Sequence, residues 1–272
     1  MFEEIYHDYL IHKNSVNTEE RYKGKESWYH ASGAGSCSRK LYYQSVEKVK
    51  TTPKTFEELS PTKRAYARQA RIGVEIHEEI QGSLLLYNNI YNNNNILNKK
   101  ENKENNKKET KENKEFIVEG EITIPNLNVR GFYDVLLLDT SLPEYREKPL
   151  VKLYDIKTMN PWKWKRHFPN GVRTPVNEAE NYRLQLATYG IAIKEKYGNL
   201  DYMAFIYYNI ASQTMRESSL SLDYLEKARR YWYSINEEHS RGVPEFRIGT
   251  SPSAGWVCNY CDFVEHCRPP KF

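Results

Sequence analysis

Residues 256–270, WVCNYCDFVEHCRPP, hold three of the four cysteines of the chain, and the fourth, Cys37, lies near the opposite end. No other feature of the sequence reaches so far. If Cys258, Cys261 and Cys267 complete a metal site with Cys37, the two ends of the fold must meet. Closing such a loop of roughly 220 residues costs about 5 kcal/mol of chain entropy, which the ligand bonds would have to offset. The N-terminal run MFEEIYHDYLIHK opens on acids and lacks the basic and apolar regions of a secretory signal, so the expected compartment is a reducing cytoplasm. Cysteines there are metal ligands or free thiols rather than disulfides. No apolar run approaches a membrane span, so no membrane partner is expected.

Net charge decides little. The formal value is +4, but residues 88–115, NNIYNNNNILNKKENKENNKKETKENKE, alone carry seven Lys and five Glu. This stretch cannot bury an apolar face and reads as a low-complexity, disordered insert within a single domain spanning 1–272. Outside it the pattern is regular. Ser60 and Pro61 are a cap and first helical residue, and the helix they open should run to about Leu86. EFIVEGEITIPN and LNVRGFYDVLLLDT read as an antiparallel pair turning near Pro125–Asn126, and PLVKLYDIKTM as a further strand. A helix ending at Gly198, a strand DYMAFIYYNI and a last helix SLDYLEKARRYWYSINEEH follow. That order argues for an α/β domain with a mixed central sheet. No GxxxxGK loop is present, which excludes a built-in ATP motor of that type.

The chemistry concentrates in YDIK, residues 154–157. Alternation along a strand puts Asp155 and Lys157 on one face about 6–7 Å apart, where a carboxylate and an ammonium can serve a divalent cation and the charge that develops beside it. By itself D-x-K describes any same-face ion pair. Upstream, Asp134 opens the apolar run Val135–Leu138 and needs a partner there, which a metal shared with Asp155 would supply. His77 shares a helical stripe with Gly73, Ile80 and Leu84; alone it reads as a half-buried structural histidine, beside two acids as a third ligand. Gln185 and Tyr189 are four apart on the later helix, with Tyr182 near the same stripe; they pack as any amphipathic face does, or present an amide and a phenol to Lys157 or a phosphate.

Taken in order, His77, G-x-x-D at Gly131–Asp134, D-I-K at Asp155–Lys157 and Q-x-x-x-Y at Gln185–Tyr189 resemble the PD-(D/E)XK nucleases of the RecB type. Cys37 in GAGSCSRKLYYQ, with C-x2-C-x5-C at the tail, resembles their iron–sulfur branch, which holds CRISPR-adaptation exonucleases and AddB-type nuclease domains. The resemblance spans residues 33–267. The acid of the D-I-K motif is Asp, which the pattern allows, and the insert lies outside it.

The resemblance implies a restriction-endonuclease-like core with its terminal segments joined at a four-cysteine metal cluster. It implies Mg²⁺ or Mn²⁺ held by His77, Asp134, Asp155 and the Ile156 carbonyl, and DNA phosphodiester hydrolysis carried by Asp134, Asp155, Lys157, Gln185 and Tyr189. Cys37, Cys258, Cys261 and Cys267 would ligate a 4Fe–4S cluster, Zn²⁺ being the chemical competitor at four thiolates. The expected substrate is DNA, single-stranded or with free ends, and a recombination or CRISPR-adaptation protein is the expected partner. An adaptor that only binds DNA, or an endonuclease of the same chemistry, are the alternatives. Between the D-I-K strand and the Q-x-x-x-Y helix, Trp162 and Trp164 interleave with Lys163, Lys165, Arg166 and Arg173. With Tyr182 these residues make a stacking and phosphate-binding path, or else two ordinary core tryptophans in a long loop. Arg64, Arg68 and Arg71 form a second basic stripe, read as a solvated face.

Overall fold

A computed structural model describes residues 2–10, 13, 28–51, 55–101, 114–176, 178–251 and 254–267, with the backbone alone for 66 and 91–101. Among these residues a six-stranded mixed sheet forms, from β1 (Tyr29–His30), β2 (Lys114–Ile124), β3 (Val129–Asp139), β4 (Leu150–Met159), β5 (Tyr202–Asn209) and β6 (Met215–Ser219). The helices are α1 (residues 2–10), α2 (Ser38–Ser45), α3 (Pro61–Glu101), α4 (Pro161–His167), α5 (Glu180–Tyr197), α6 (Tyr224–Ser240) and the single turn α7 (Val264–Cys267).

The β2–β3 hairpin pairs from Lys114↔Asp139 to Ile124↔Val129 and turns through Pro125–Leu127, with Asn128 in the left-handed region that asparagine tolerates. On its other side β3 has two successive neighbours. It pairs antiparallel with β4 from Leu150↔Asp139 to Tyr154↔Val135, and there the ladder stops. Beyond the break β1 takes over the pairing in parallel, Tyr29 against Val129 and His30 against Arg130. β4 meanwhile continues beside β5 as far as Met159↔Asn209. The sheet therefore forks between β3 and β4, immediately past Val135 and Tyr154.

Helices flank this fork. α5 buries Leu184 and the unbroken run Leu186–Ile193, so it is apolar nearly all round, as a helix covered on both sides must be. Its outer cover is α6, whose buried Trp232 donates to Thr188 Oγ1 at 2.8 Å. α3 opens as its cap predicts, Ser60 Oγ accepting from the Lys63 amide. It approaches β4 so closely at Gly73 that a Cβ there would lie 2.9 Å from Thr158 Oγ1. Gly73 is thus a contact residue rather than a flexible one.

The segments near the two ends meet. Tyr29 Oη donates to His239 Nδ1 at 2.8 Å, and His239 Nε2 lies 2.9 Å from Ser38 Oγ, which itself donates to Glu238. Because Ser38 has one proton to give, His239 Nε2 must be the donor to its hydroxyl. Arg39 reaches Pro244 O at 2.7 Å and Cys267 Sγ at 3.2 Å, and Tyr43 packs edge-on against His266.

Three expectations change. The helix that starts at Pro61 continues to Glu101 instead of ending near Leu86, and β2 already begins at Lys114. The first half of the low-complexity segment is therefore helical, since Asn, Lys and Glu propagate a helix once an apolar stretch has nucleated it. Residues 102–113 of the expected disordered insert lie outside the described residues. The segment expected as a long loop contains α4, capped by Asn160, whose side chain accepts from Lys163 N at 2.8 Å, with Pro161 at the first helical position. β1, β6 and α2 were not anticipated, being short and weakly periodic.

Candidate active site at the fork of the sheet

Asp134 and Asp155 are the residues that would face each other next if the β3–β4 ladder continued. Instead Asp134 Oδ2 accepts from the Ile156 amide at 2.6 Å, a side chain replacing the missing rung. An extended residue sends its N–H and C=O to the same edge, so the Ile156 carbonyl also faces the gap. The irregularity has a visible origin. Opposite Asp134 on β2, Glu119 adopts φ 49°, and the paired residues step from Val118↔Val135 to Gly120↔Tyr133 across it. Tyr133 and Leu136, three apart, both belong to the core, which strict alternation forbids. The local distortion turns Asp134 out of the apolar run that made it conspicuous in the sequence.

His77 Nδ1 lies 3.6 Å from Asp134 Oδ2. Burial opposes a charge on this imidazole, but the hydrogen bond and charge of Asp134, with the charge of Asp155, outweigh it and hold its pKa above the ordinary value. Asp155 is 1% exposed. Burial, against the pull of Lys157 and with the push of Asp134, raises its carboxyl above the usual range. Lys157 Nζ sits 2.7 Å from Asp155 Oδ2, and although burial disfavours its charge, Asp155 and Asp134 keep it protonated. The same ammonium donates to Gln185 Oε1 at 3.1 Å and lies 4.7 Å from the centre of the Tyr182 ring. Gln185 Nε2 in turn donates to Tyr189 Oη at 3.1 Å. Gly131 makes room for that tyrosine, since a Cβ there would stand 2.9 Å from Tyr189 Cε1. The G-x-x-D spacing thus serves both a close approach to α5 and the acid.

The chemistry of this set suits a hard divalent cation. Asp155 Oδ1 is buried with no hydrogen-bond partner, an acceptor that costs free energy unless a cation is supplied. Among the described residues, however, no three His, Cys, Asp or Glu side chains are already gathered as a metal ion would need them. Asp155 is drawn onto Lys157, and Asp134 Oδ2 is engaged by the Ile156 amide.

The four cysteines form no disulfide, and all four line one cavity of about 260 Å³ with Arg39, Tyr43 and Trp256. Gly249 closes one wall, where a Cβ would fall 2.3 Å from Cys258 Sγ.

The aromatic and basic segment divides. Trp162 is 63% exposed, with the Arg166 guanidinium 4.6 Å from its ring centre, and Lys163, Lys165 and Arg173 are likewise exposed. Trp164 instead packs on Phe168 and the core, under Arg216. The stripe on α3 is engaged, Arg68 with Glu3, Arg71 with Glu75, and Arg64 over Phe56. Sequence reasoning passed over two features near the fork. Gln81 is buried and donates to Glu119 Oε1 at 3.0 Å and to the Asp134 carbonyl at 3.1 Å. Tyr207, on β5 beside Lys157, donates to Glu178, which also pairs with Arg183. The spacing of Gln81, one turn beyond His77 on the same stripe, was the available signal.

A family model described as the PD-(D/E)XK nuclease superfamily matches residues 27–268. No curated protein matches the chain. Among solved structures it is similar to one described as the crystal structure of SSO0001, at 15% identity over 100% of both chains, with a TM-score of 0.48.

Proposed function

The chain belongs to the PD-(D/E)XK nuclease superfamily, and from that premise we propose that it is a metal-dependent exonuclease of the RecB type acting on single-stranded DNA or DNA ends. Enzymes of this superfamily are nucleases that use Mg²⁺ or Mn²⁺, and DNA is the expected substrate. The observation that carries the metal-dependent hydrolysis is the fork itself. There a buried carboxylate with an orphan oxygen, a second carboxylate and a charged lysine converge where the ladder between their strands has been given up.

His77, Asp134, Asp155 and the Ile156 carbonyl would hold the cation. When bound, it would lower the pKa of an attacking water and neutralise the scissile phosphate. Lys157, held between Asp155 and Gln185 and backed by the Tyr182 ring, would keep its ammonium aimed at the developing phosphorane charge. Gln185 and Tyr189, bonded to each other, would fix that lysine and position the strand. The exposed Trp162–Arg166 pair with Lys163 and Lys165 offers a stacking platform among cations, which favours single strands. Trp164 contributes by holding α4 to the core.

For the cysteines we propose a 4Fe–4S cluster closing a single nuclease domain. All four cysteines line one cavity, and four thiolates also suit a tetrahedral Zn²⁺, so metal content separates the two. Iron, sulfide and zinc analysis of anaerobically purified protein decides this. One zinc per chain with no iron would overturn the cluster.

The deciding assay uses Mn²⁺, end-labelled linear single-stranded DNA, a closed circular single strand, and the near-isosteric Asp155→Asn. Loss of the linear strand alone, abolished in the variant, is the expected outcome. Cutting of the circle would move the activity to endonuclease. A second reading, a DNA-binding module that recruits a recombination or CRISPR-adaptation protein, draws support from the ungathered metal donors. It would prevail if neither substrate is cut with metal bound.

A further inference from the structure

α3 meets the fork through residues four apart. Gly73 abuts Thr158 on β4, His77 meets the Asp134 carboxylate, and Gln81, 5% exposed, lies one turn further on. Both acceptors of the Gln81 amide are oxygens, the Glu119 carboxylate at 3.0 Å and the Asp134 main-chain carbonyl at 3.1 Å. Only the Nε2 end can face them, so the amide orientation is fixed by its partners. Glu119 and Asp134 are also the two residues skipped in the β2–β3 pairing, and Glu119 is the one at φ 49°. Gln81 therefore bridges the two strands where their own ladder is interrupted.

We infer that Gln81 is a positioning residue that clamps the distorted β2–β3 backbone and so aims the Asp134 carboxylate into the fork. The inference rests on the reading of Asp134 as a metal ligand. The Asp134 carboxylate must reach the Ile156 amide and His77 at once. Holding the main chain of Asp134 sets where its side chain can go. Partners one step removed from a ligand typically change metal affinity or activity by about 10–100-fold when removed.

The test compares wild type with Gln81→Leu, which keeps volume and removes both bonds, and with the unbranched Gln81→Met should the leucine variant fail to fold. Hydrogen exchange of the Ile156 amide is read in the metal-free protein, and Mn²⁺ affinity by calorimetry. The expected result is exchange at Ile156 faster by at least about tenfold with β5 amides unchanged, and Mn²⁺ affinity about tenfold weaker. An unaltered Ile156 amide overturns the inference, whatever happens to activity. So does acceleration across the whole sheet in step with a lowered melting temperature, which marks a merely structural role. If Ile156 alone is released but the wild type binds no Mn²⁺, the clamp stands and the metal reading fails.

Discussion

Lys157 and Asp155 form a buried ion pair whose members are held unequally. The lysine keeps Gln185 and the Tyr182 ring if Asp155 is removed, whereas Asp155 without Lys157 is a buried carboxylate with no hydrogen-bond partner. Breaking a buried pair from one side typically costs about 3–5 kcal/mol. Lys157→Met should therefore lower stability by that order in metal-free protein. The double variant Asp155→Leu/Lys157→Met should recover most of the loss, as denaturant titration of both would establish. A second residue-scale expectation concerns Gly131, where a methyl group would press on Tyr189 and on Ala31. Gly131→Ala should cost about 1–3 kcal/mol and reduce cleavage by displacing Tyr189, measured by melting and by single-turnover rates. Asp134 was conspicuous in the sequence because an acid in an apolar strand demands a partner, and Asp155 because D-I-K sets it on one face with Lys157. Gln81 was not, because a glutamine on a helix is ordinarily a surface residue and only its burial against two acceptors gives it meaning. Glu119 was equally hidden, since nothing in VEGEIT announces a positive φ at a glutamate.

At the level of elements, α3 behaves as a rail with fixed stops rather than a packed cylinder. Replacing Gly73 by alanine should raise intrinsic helix stability by about 1 kcal/mol, yet the added methyl would stand 2.9 Å from Thr158 Oγ1 and lift the helix from β4. Gly73→Ala should therefore leave the melting temperature within a few degrees while lowering activity, an outcome that pure propensity would not produce. Further along, Asn88 both donates to and accepts from the backbone of Phe116, tying α3 to the start of β2 across the base of the low-complexity segment. Shortening residues 92–112 to a brief linker should then keep DNA cleavage within about twofold, whereas Asn88→Ala should cost about 1 kcal/mol or more in stability by leaving those groups unpaired. The long elements α3, α5, α6 and β2 to β5 could be read from the chain, α3 with its Ser60 cap though not its end and α5 with its closing Gly198. The two-residue β1, the polar β6 and the aromatic-rich α4 could not, because their pairing and packing partners lie far away in sequence.

On the scale of the whole molecule, three histidines are held neutral by burial. His30 falls to about 4 and His167 and His239 shift the same way; the cations Arg130 near the first and Lys163 and Arg166 near the second add to the effect. For each, the folded state binds a proton less readily than the unfolded chain. Their stabilising contribution is complete above the unfolded value of about 6.5 and is lost as pH falls through the folded values. Denaturant midpoints should thus drop between pH 6.5 and 4, and His239→Gln should flatten part of that slope. His239 also joins β1 and α2 to α6, and that junction dictates an order of events during synthesis. His77, Asp134, Asp155 and Gln185 all leave the ribosome before Tyr29 and Ser38 can find His239, and before Cys37 can find Cys258–Cys267. A nascent chain would carry every group of the fork, and β1 could pair β3, while Tyr29 and Ser38 still lack His239, so hydrolysis of DNA should wait for that junction. A stalled chain arrested at residue 235 should contain the whole fork and cut nothing.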